Sequence, residues 1–155
     1  MGGIYTVLST KARTLQKLYK DRIIFIGPDI WGDKPCPYFI RSKTLLKDWH
    51  KQASLPQNMK VKIGRWDIPG RPIVILVDFK SLYPYKNDLY GEMWNRYGVN
   101  SLPAYGDYDE SCIFSYASAV VIESFYKFIQ GEKFKVVAHF DEWTTAIMYN
   151  QTKYT

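Results

Sequence analysis

Apolar residues recur at near-helical spacing over the first twenty positions. Ile4, Val7, Leu8, Leu15 and Leu18 alternate with Lys11, Arg13, Lys17 and Lys20, which predicts a helix over about residues 4 to 20. The pattern then changes period. Arg22–Gly27 is a short continuous apolar run and predicts a buried parallel strand. Residues 28–37 are rich in Gly, Pro and Asp and predict a loop, with Trp31 as its packing anchor. Helical spacing returns over residues 42–53, with Leu45, Leu46 and Trp49 on one side, Ser42 as a cap and His50 facing solvent. Residues 60–66 alternate as a half-exposed strand does, and residues 72–79 form the most apolar run of the chain, a strand covered on both faces. Only a few residues separate the two, and they include Pro69-Gly70, so a hairpin is expected. Asp78 closes the second strand, where it suits either a ligand position or a turn.

The second half is more helical. Residues 81–100 are aromatic, and Leu89, Met93, Trp94 and Tyr97 line a helix that Gly98 ends. A loop follows over residues 101–109. Residues 110–130 give the clearest helix, with Ile113, Phe114, Ala117, Val120, Val121, Phe125, Phe128 and Ile129 on a broad apolar face. After Gly131, residues 134–138 read as a buried strand that ends abruptly in His139, Asp141 and Glu142, beside Trp143. A last helix is expected over about residues 142–150. In open α/β sheets ligands sit beyond the carboxyl ends of strands, so this strand end is the most site-like place in the chain. The same polar residues equally suit the cap of the next helix, and spacing leaves both readings open. Strands separated by helices argue an α/β fold with a mostly parallel sheet flanked by helices.

Composition narrows the class without naming a reaction. Apolar residues make up 46% and charged residues 23% of the 155, which is a globular balance with enough chain for one domain. The net charge of +6 is modest and its signs are interspersed, so there is no basic block of the kind that marks a nucleic-acid arm. Cys36 and Cys112 lie far apart and form no CxxC, which argues against a zinc knuckle or redox motif. No signal peptide opens the chain and no apolar run approaches the ~18 residues of a membrane span. A cytoplasmic protein with reduced thiols is the expectation. Thirteen Tyr and five Trp build cores, but such rings also stack on sugars, and composition does not choose between these uses. His139 and Asp141 could begin a metal site, but no third ligand accompanies them.

Gly2-Gly3 stands just before the first predicted helix. Paired glycines there let a phosphate approach free backbone N–H groups and the positive end of the helix dipole, though plain turn chemistry uses the same pair. A Rossmann-like domain would place a strand ahead of this loop, and no residues here supply one.

The ordered set of segments resembles the amino-terminal domain of the glycogen synthase family, in its eukaryotic type and bacterial relatives. The matching pieces are Gly2-Gly3-Ile4-Tyr5-Thr6-Val7-Leu8, Gly64-Arg65-Trp66, the strand ending at Asp78, and Gly91-Glu92-Met93-Trp94. The helix around Phe114 to Phe125, then Val137-Ala138-His139-Phe140 and Glu142-Trp143, complete the series in family order. The resemblance implies a retaining glycosyltransferase with two facing Rossmann-like domains, the GT-B arrangement. It would move glucose from UDP-glucose or ADP-glucose to the non-reducing end of an α-1,4-glucan, with no metal or cofactor. Gly2 and Gly3 would pack against the donor diphosphate, and Asp141, Glu142 and Trp143 would line the cleft. The same resemblance implies that residues 1–155 are a single, incomplete GT-B amino-terminal domain. The first strand, the family's Lys ahead of the glycines and the second catalytic domain are absent, and Asp141 stands where the family usually has a His. The chain alone is therefore expected to be inactive, since half a cleft excludes no water. Nucleotide-sugar and α-glucan are the expected partners, without nucleic acid or membrane, and a homo-oligomer is an option for the full-length protein. The alternative is a non-catalytic carbohydrate- or protein-interaction module built on Tyr83, Tyr85, Tyr90 and Trp94.

Overall fold

The structure is a computed structural model that describes residues 3–104 and 106–141, without the side chain of Ile4. The chain divides into two compact units, Met1–Ala53 with Lys60–Asp78, and Ser54–Met59 with Phe79–Thr155.

The first unit is built on a four-stranded sheet. Helix α1 (Gly3–Tyr19) leads through a short 3₁₀ turn into β1 (Ile24–Pro28), followed by β2 (Phe39–Arg41), helix α2 (Lys47–Gln52), β3 (Lys60–Trp66) and β4 (Ile73–Asp78). Spatial order is β1-β4-β3-β2. β1 and β4 run parallel, with Ile24 opposite Ile73 and Pro28 opposite Val77. The pairs β3/β4 and β2/β3 are antiparallel. The α/β reading therefore holds with a mixed sheet in place of a mostly parallel one. The connection of residues 67–72 is too short for a crossover, which takes roughly a dozen residues, so β3 and β4 can only form a hairpin. β4 is central, and Ile73, Val74, Ile75 and Val77 are all buried, as its unbroken apolar run predicts.

Helix α1 packs on that hairpin. Ala12 is fully buried, and Gly70 sits so close that a Cβ on it would lie 3.0 Å from the Arg13 Cα. Gly70 also holds φ at +97°, which a side chain disfavours. Tyr5 lies edge-on to Trp66, with ring centroids 5.7 Å apart, and Trp66 in turn meets Phe25 at 6.0 Å. Arg65 reaches Asp21 with two nitrogens at 2.8 and 3.0 Å and gives a further hydrogen bond to the Arg71 carbonyl. α2 is shorter than its pattern predicts. Ser42 caps the turn before it instead, its Oγ accepting the N–H groups of Thr44 and Leu45, and Leu46 at φ +49° interrupts the helix. Trp49 is buried and His50 exposed, as expected.

The second unit joins helices α3 (Lys86–Tyr97) and α4 (Asp107–Phe128), with 3₁₀ turns over Pro56–Asn58, Lys80–Tyr85 and Gly131–Lys133. Its core gathers Leu89, Tyr90, Met93 and Cys112, flanked by Tyr108 and Tyr116. Gly98 closes α3 at φ +67°, its N–H bonded to the Trp94 carbonyl, as its position predicts. In α4, Ile113, Ala117 and Val121 recur every fourth residue and are fully buried. Asp107, Asp109 and Glu110 in its first turn complement the positive end of the dipole.

Residues 134–138 do not form the expected strand. Their backbone lies outside any helix or strand, and Phe134, Val136 and Val137 are 65%, 45% and 77% exposed. β-branched residues favour an extended backbone, but a strand exists only with a hydrogen-bonded neighbour, and the sheet ladders recorded among the described residues are β1/β4, β4/β3 and β3/β2. The helix expected over residues 142–150 lies outside the described residues.

Candidate functional site

Of the residues the sequence singles out, Gly2, Glu142 and Trp143 lie outside the described residues. Gly3 opens α1 in the first unit, and Asp141 closes the described part of the second. α1 carries no acidic residue in its first turn, so its own sequence leaves the positive pole of a 17-residue helix uncompensated. Tyr5 places that first turn beside Trp66, at the end of β3 that adjoins the amino end of β4. The carboxyl ends of β1 and β4, where α/β ligands usually sit, are at the opposite end of these strands.

Asp141 is mostly covered, at 28% exposure, and its Oδ1 lies 3.3 Å from Nε2 of the exposed His139. The pair presents a carboxylate and an imidazole of the kind that hydrogen-bonds sugar hydroxyls. Among the described residues no three His, Cys, Asp or Glu side chains gather as a metal site would require. No helix of the described residues is long and apolar enough to cross a membrane.

Two polar networks emerge that the sequence reading missed. At the carboxyl end of β1, Asp29 is 3% exposed. It meets Lys62 Nζ at 2.7 Å and accepts the Gly32 N–H at 3.2 Å, while Lys62 also donates to the Gly32 carbonyl. This contact, and not Trp31, anchors the following loop, since Trp31 is 40% exposed. Asp-x-x-Gly after a strand was the available signal.

In the second unit, Tyr90 donates its hydroxyl to Asp109 Oδ1 at 2.5 Å, and Lys86 Nζ meets Oδ2 at 2.7 Å. Lys86 holds the Asp109 carboxyl below its ordinary value, helped by the Tyr90 hydrogen bond. Burial, then the bond to Asp109, pushes the Tyr90 phenol upward. Burial also raises the Cys112 thiol to about 11. Tyr90 is only 2% exposed, so it belongs to the core and not to the aromatic surface expected of it. Its place between Leu89 and Met93 carried that information. Trp94, Tyr83 and Tyr85 are exposed as expected, at 56%, 41% and 43%. Trp94 borders an open depression of about 230 Å³, lined also by Tyr90, Gly91, Asn95, Asn100 and Leu102.

The mixed sheet, the hairpin under α1 and the helical second unit define a partial Rossmann-like α/β protein. The glycogen synthase family model matches residues 1–154. Glycogen [starch] synthase of Neurospora crassa is 31% identical over 160 residues, covering 99% of this chain and 22% of the relative. Isoform 2 of Saccharomyces cerevisiae is 27% identical over 95% of this chain and 22% of its own length. The Dictyostelium discoideum glycogen [starch] synthase is 28% identical over 95% of this chain and 16% of its own length. The chain belongs to the glycogen synthase family, and it corresponds to the amino-terminal part of these relatives, spanning about a fifth of their length.

Proposed function

We propose that this chain supplies one wall of a glucosyl-transfer cleft, as the amino-terminal part of a cytoplasmic enzyme of glycogen synthase type. The reaction would move glucose from UDP-glucose or ADP-glucose to the non-reducing end of an α-1,4-glucan, without a metal ion. The observation that carries this reading is the family match over nearly the whole chain. Breaking a glycosyl–phosphate bond leaves an oxocarbenium-like sugar and a departing diphosphate, so the wall must hold the sugar in line and face the anion with positive potential. The uncompensated amino end of α1, after Gly2 and Gly3, suits the anion. Asp141, with Glu142 and Trp143 beside it, suits the sugar: the carboxylate accepts hydrogen bonds from hydroxyls and favours a developing positive charge on the ring. The chain alone would bind substrate weakly and not turn it over, because one wall excludes little water.

The test pairs turnover with binding. The chain is incubated with maltooligosaccharide and either UDP-glucose or ADP-glucose, and binding is followed by calorimetry or ligand-observed NMR. The expected result is weak binding, no glucan extension, and loss of binding in Asp141→Ala and in Trp143→Ala. Absence of binding to every donor and acceptor, or binding indifferent to both substitutions, overturns the reading. The exposure of Trp94 beside an open depression favours a second reading, a glucan-contacting module. It predicts maltooligosaccharide binding that survives Asp141→Ala and is lost in Trp94→Ala.

A further inference from the structure

The loop after β1 presents a tryptophan that its own fold leaves uncovered. Asp29, buried, meets Lys62 Nζ at 2.7 Å and accepts the Gly32 N–H at 3.2 Å, and Lys62 also donates to the Gly32 carbonyl. The Trp31 carbonyl accepts the Lys34 N–H at 3.1 Å. The backbone is therefore held on both sides of Trp31. Its indole is nevertheless 40% exposed, beside Ile30 at 64% and the exposed Asp33. A large apolar ring on a loop already held in place loses little freedom when something binds to it. The loop also leaves β1 where Pro28 pairs with Val77, beyond the carboxyl ends of two parallel strands, which is the usual ligand position in an α/β sheet.

We infer that Trp31 is a platform for the acceptor glucan, its indole stacking on one face of a glucose ring while Asp33 accepts hydrogen bonds from the hydroxyls at the rim. The inference rests on the glucosyl-transfer reading and adds to it a substrate-binding residue outside the run from Asp141 to Trp143. A glucan ring is uncharged, with C–H groups on its faces and hydroxyls around its edge. A flat indole suits the first and a carboxylate the second. Charge separates this ligand from the nucleotide-sugar. Asp29 is neutralised by Lys62, and the exposed Asp33 and Lys34 offset one another, so the loop carries no net positive charge to hold a diphosphate.

The experiment titrates a maltooligosaccharide and, separately, UDP-glucose into the full 155-residue chain, and follows the indole N–H signals by NMR. The Trp31 signal is assigned by its loss in Trp31→Tyr. The expected result is that the maltooligosaccharide moves the Trp31 signal and UDP-glucose does not. Trp31→Ala should raise the Kd for maltooligosaccharide about tenfold, Trp31→Tyr should recover most of the affinity, and Asp33→Ala should weaken binding as well. Both positions are exposed, so the melting temperature should stay with the parent's in all three variants. Maltooligosaccharide binding that is lost in Asp141→Ala but unchanged in Trp31→Ala overturns this inference and leaves the transfer reading standing. A Trp31 signal that follows UDP-glucose and ignores the maltooligosaccharide also overturns it. A parent chain that binds no maltooligosaccharide and no nucleotide-sugar overturns both.

Discussion

Gly64 shows how much a single missing Cβ can matter. It sits in β3 opposite Arg41, and an added Cβ would fall 2.7 Å from the Phe39 ring and closer still to the Ile40 carbonyl. Gly64→Ala should therefore cost about 1–3 kcal/mol, an overpacking penalty read as a lowered melting temperature. Asp109 carries a pH dependence. Its carboxyl titrates lower in the folded chain than in the unfolded one, so its contribution is full above the ordinary carboxylate range and fades as pH falls through the folded value. Asp21, depressed by Arg65, acts in the same direction, but at 54% exposure it is more screened. Melting temperature should thus drop as pH is lowered from about 5 toward 3, and Asp109→Asn should flatten that slope. Cys112 is buried and its thiol is raised to about 11, so it stays protonated at neutral pH. Alkylation of the native protein should label the half-buried Cys36 and spare Cys112, read by mass spectrometry of the digest. The composition of these sites was visible in the sequence, but their partners were not. Lys86 and Asp109 stand 23 positions apart, and nothing local says they meet.

At the scale of elements, legibility followed how much of each element's stability is local. α4 and β4 were plain, because a long 3.6-residue period and an unbroken apolar run each specify their own burial. Ile75 in β4 is 1% exposed, and Ile75→Ala should cost about 2–5 kcal/mol by denaturant titration. The hairpin of β3 and β4 was legible from Pro69-Gly70 and a short connection, and it is what makes the sheet mixed. Phe134–Ala138 shows the opposite case. Its residues favour extension as strongly as those of β1, yet strand status depends on a neighbour that its own sequence does not encode. α2 was overextended in the reading because Leu45, Leu46 and Trp49 keep a helical period through a residue, Leu46, that adopts positive φ. The candidate site was the least legible part, since local pattern marks Gly3 and Asp141 separately and only the family resemblance assigns them to one cleft.

At the scale of the molecule, opposite net charges divide the chain as its compact units do. One contact reaches over a strand. Lys62 belongs to β3 and Asp29 follows β1, with β4 between them in the sheet, so the bond closes over the end of the central strand. The chain leaving Asp29 is thus fastened at its departure, and it is fastened again on its return, where Asp67 donates its N–H to the Tyr38 carbonyl just before β2. Beyond Gly32, the backbone bonds of that stretch are local turns, from the Lys34 N–H to the Trp31 carbonyl and from the Phe39 N–H to the Cys36 carbonyl. That stretch is where natural length variation should accumulate, and where a tag or a reporter peptide spliced between Asp33 and Lys34 should leave the melting curve almost where it was.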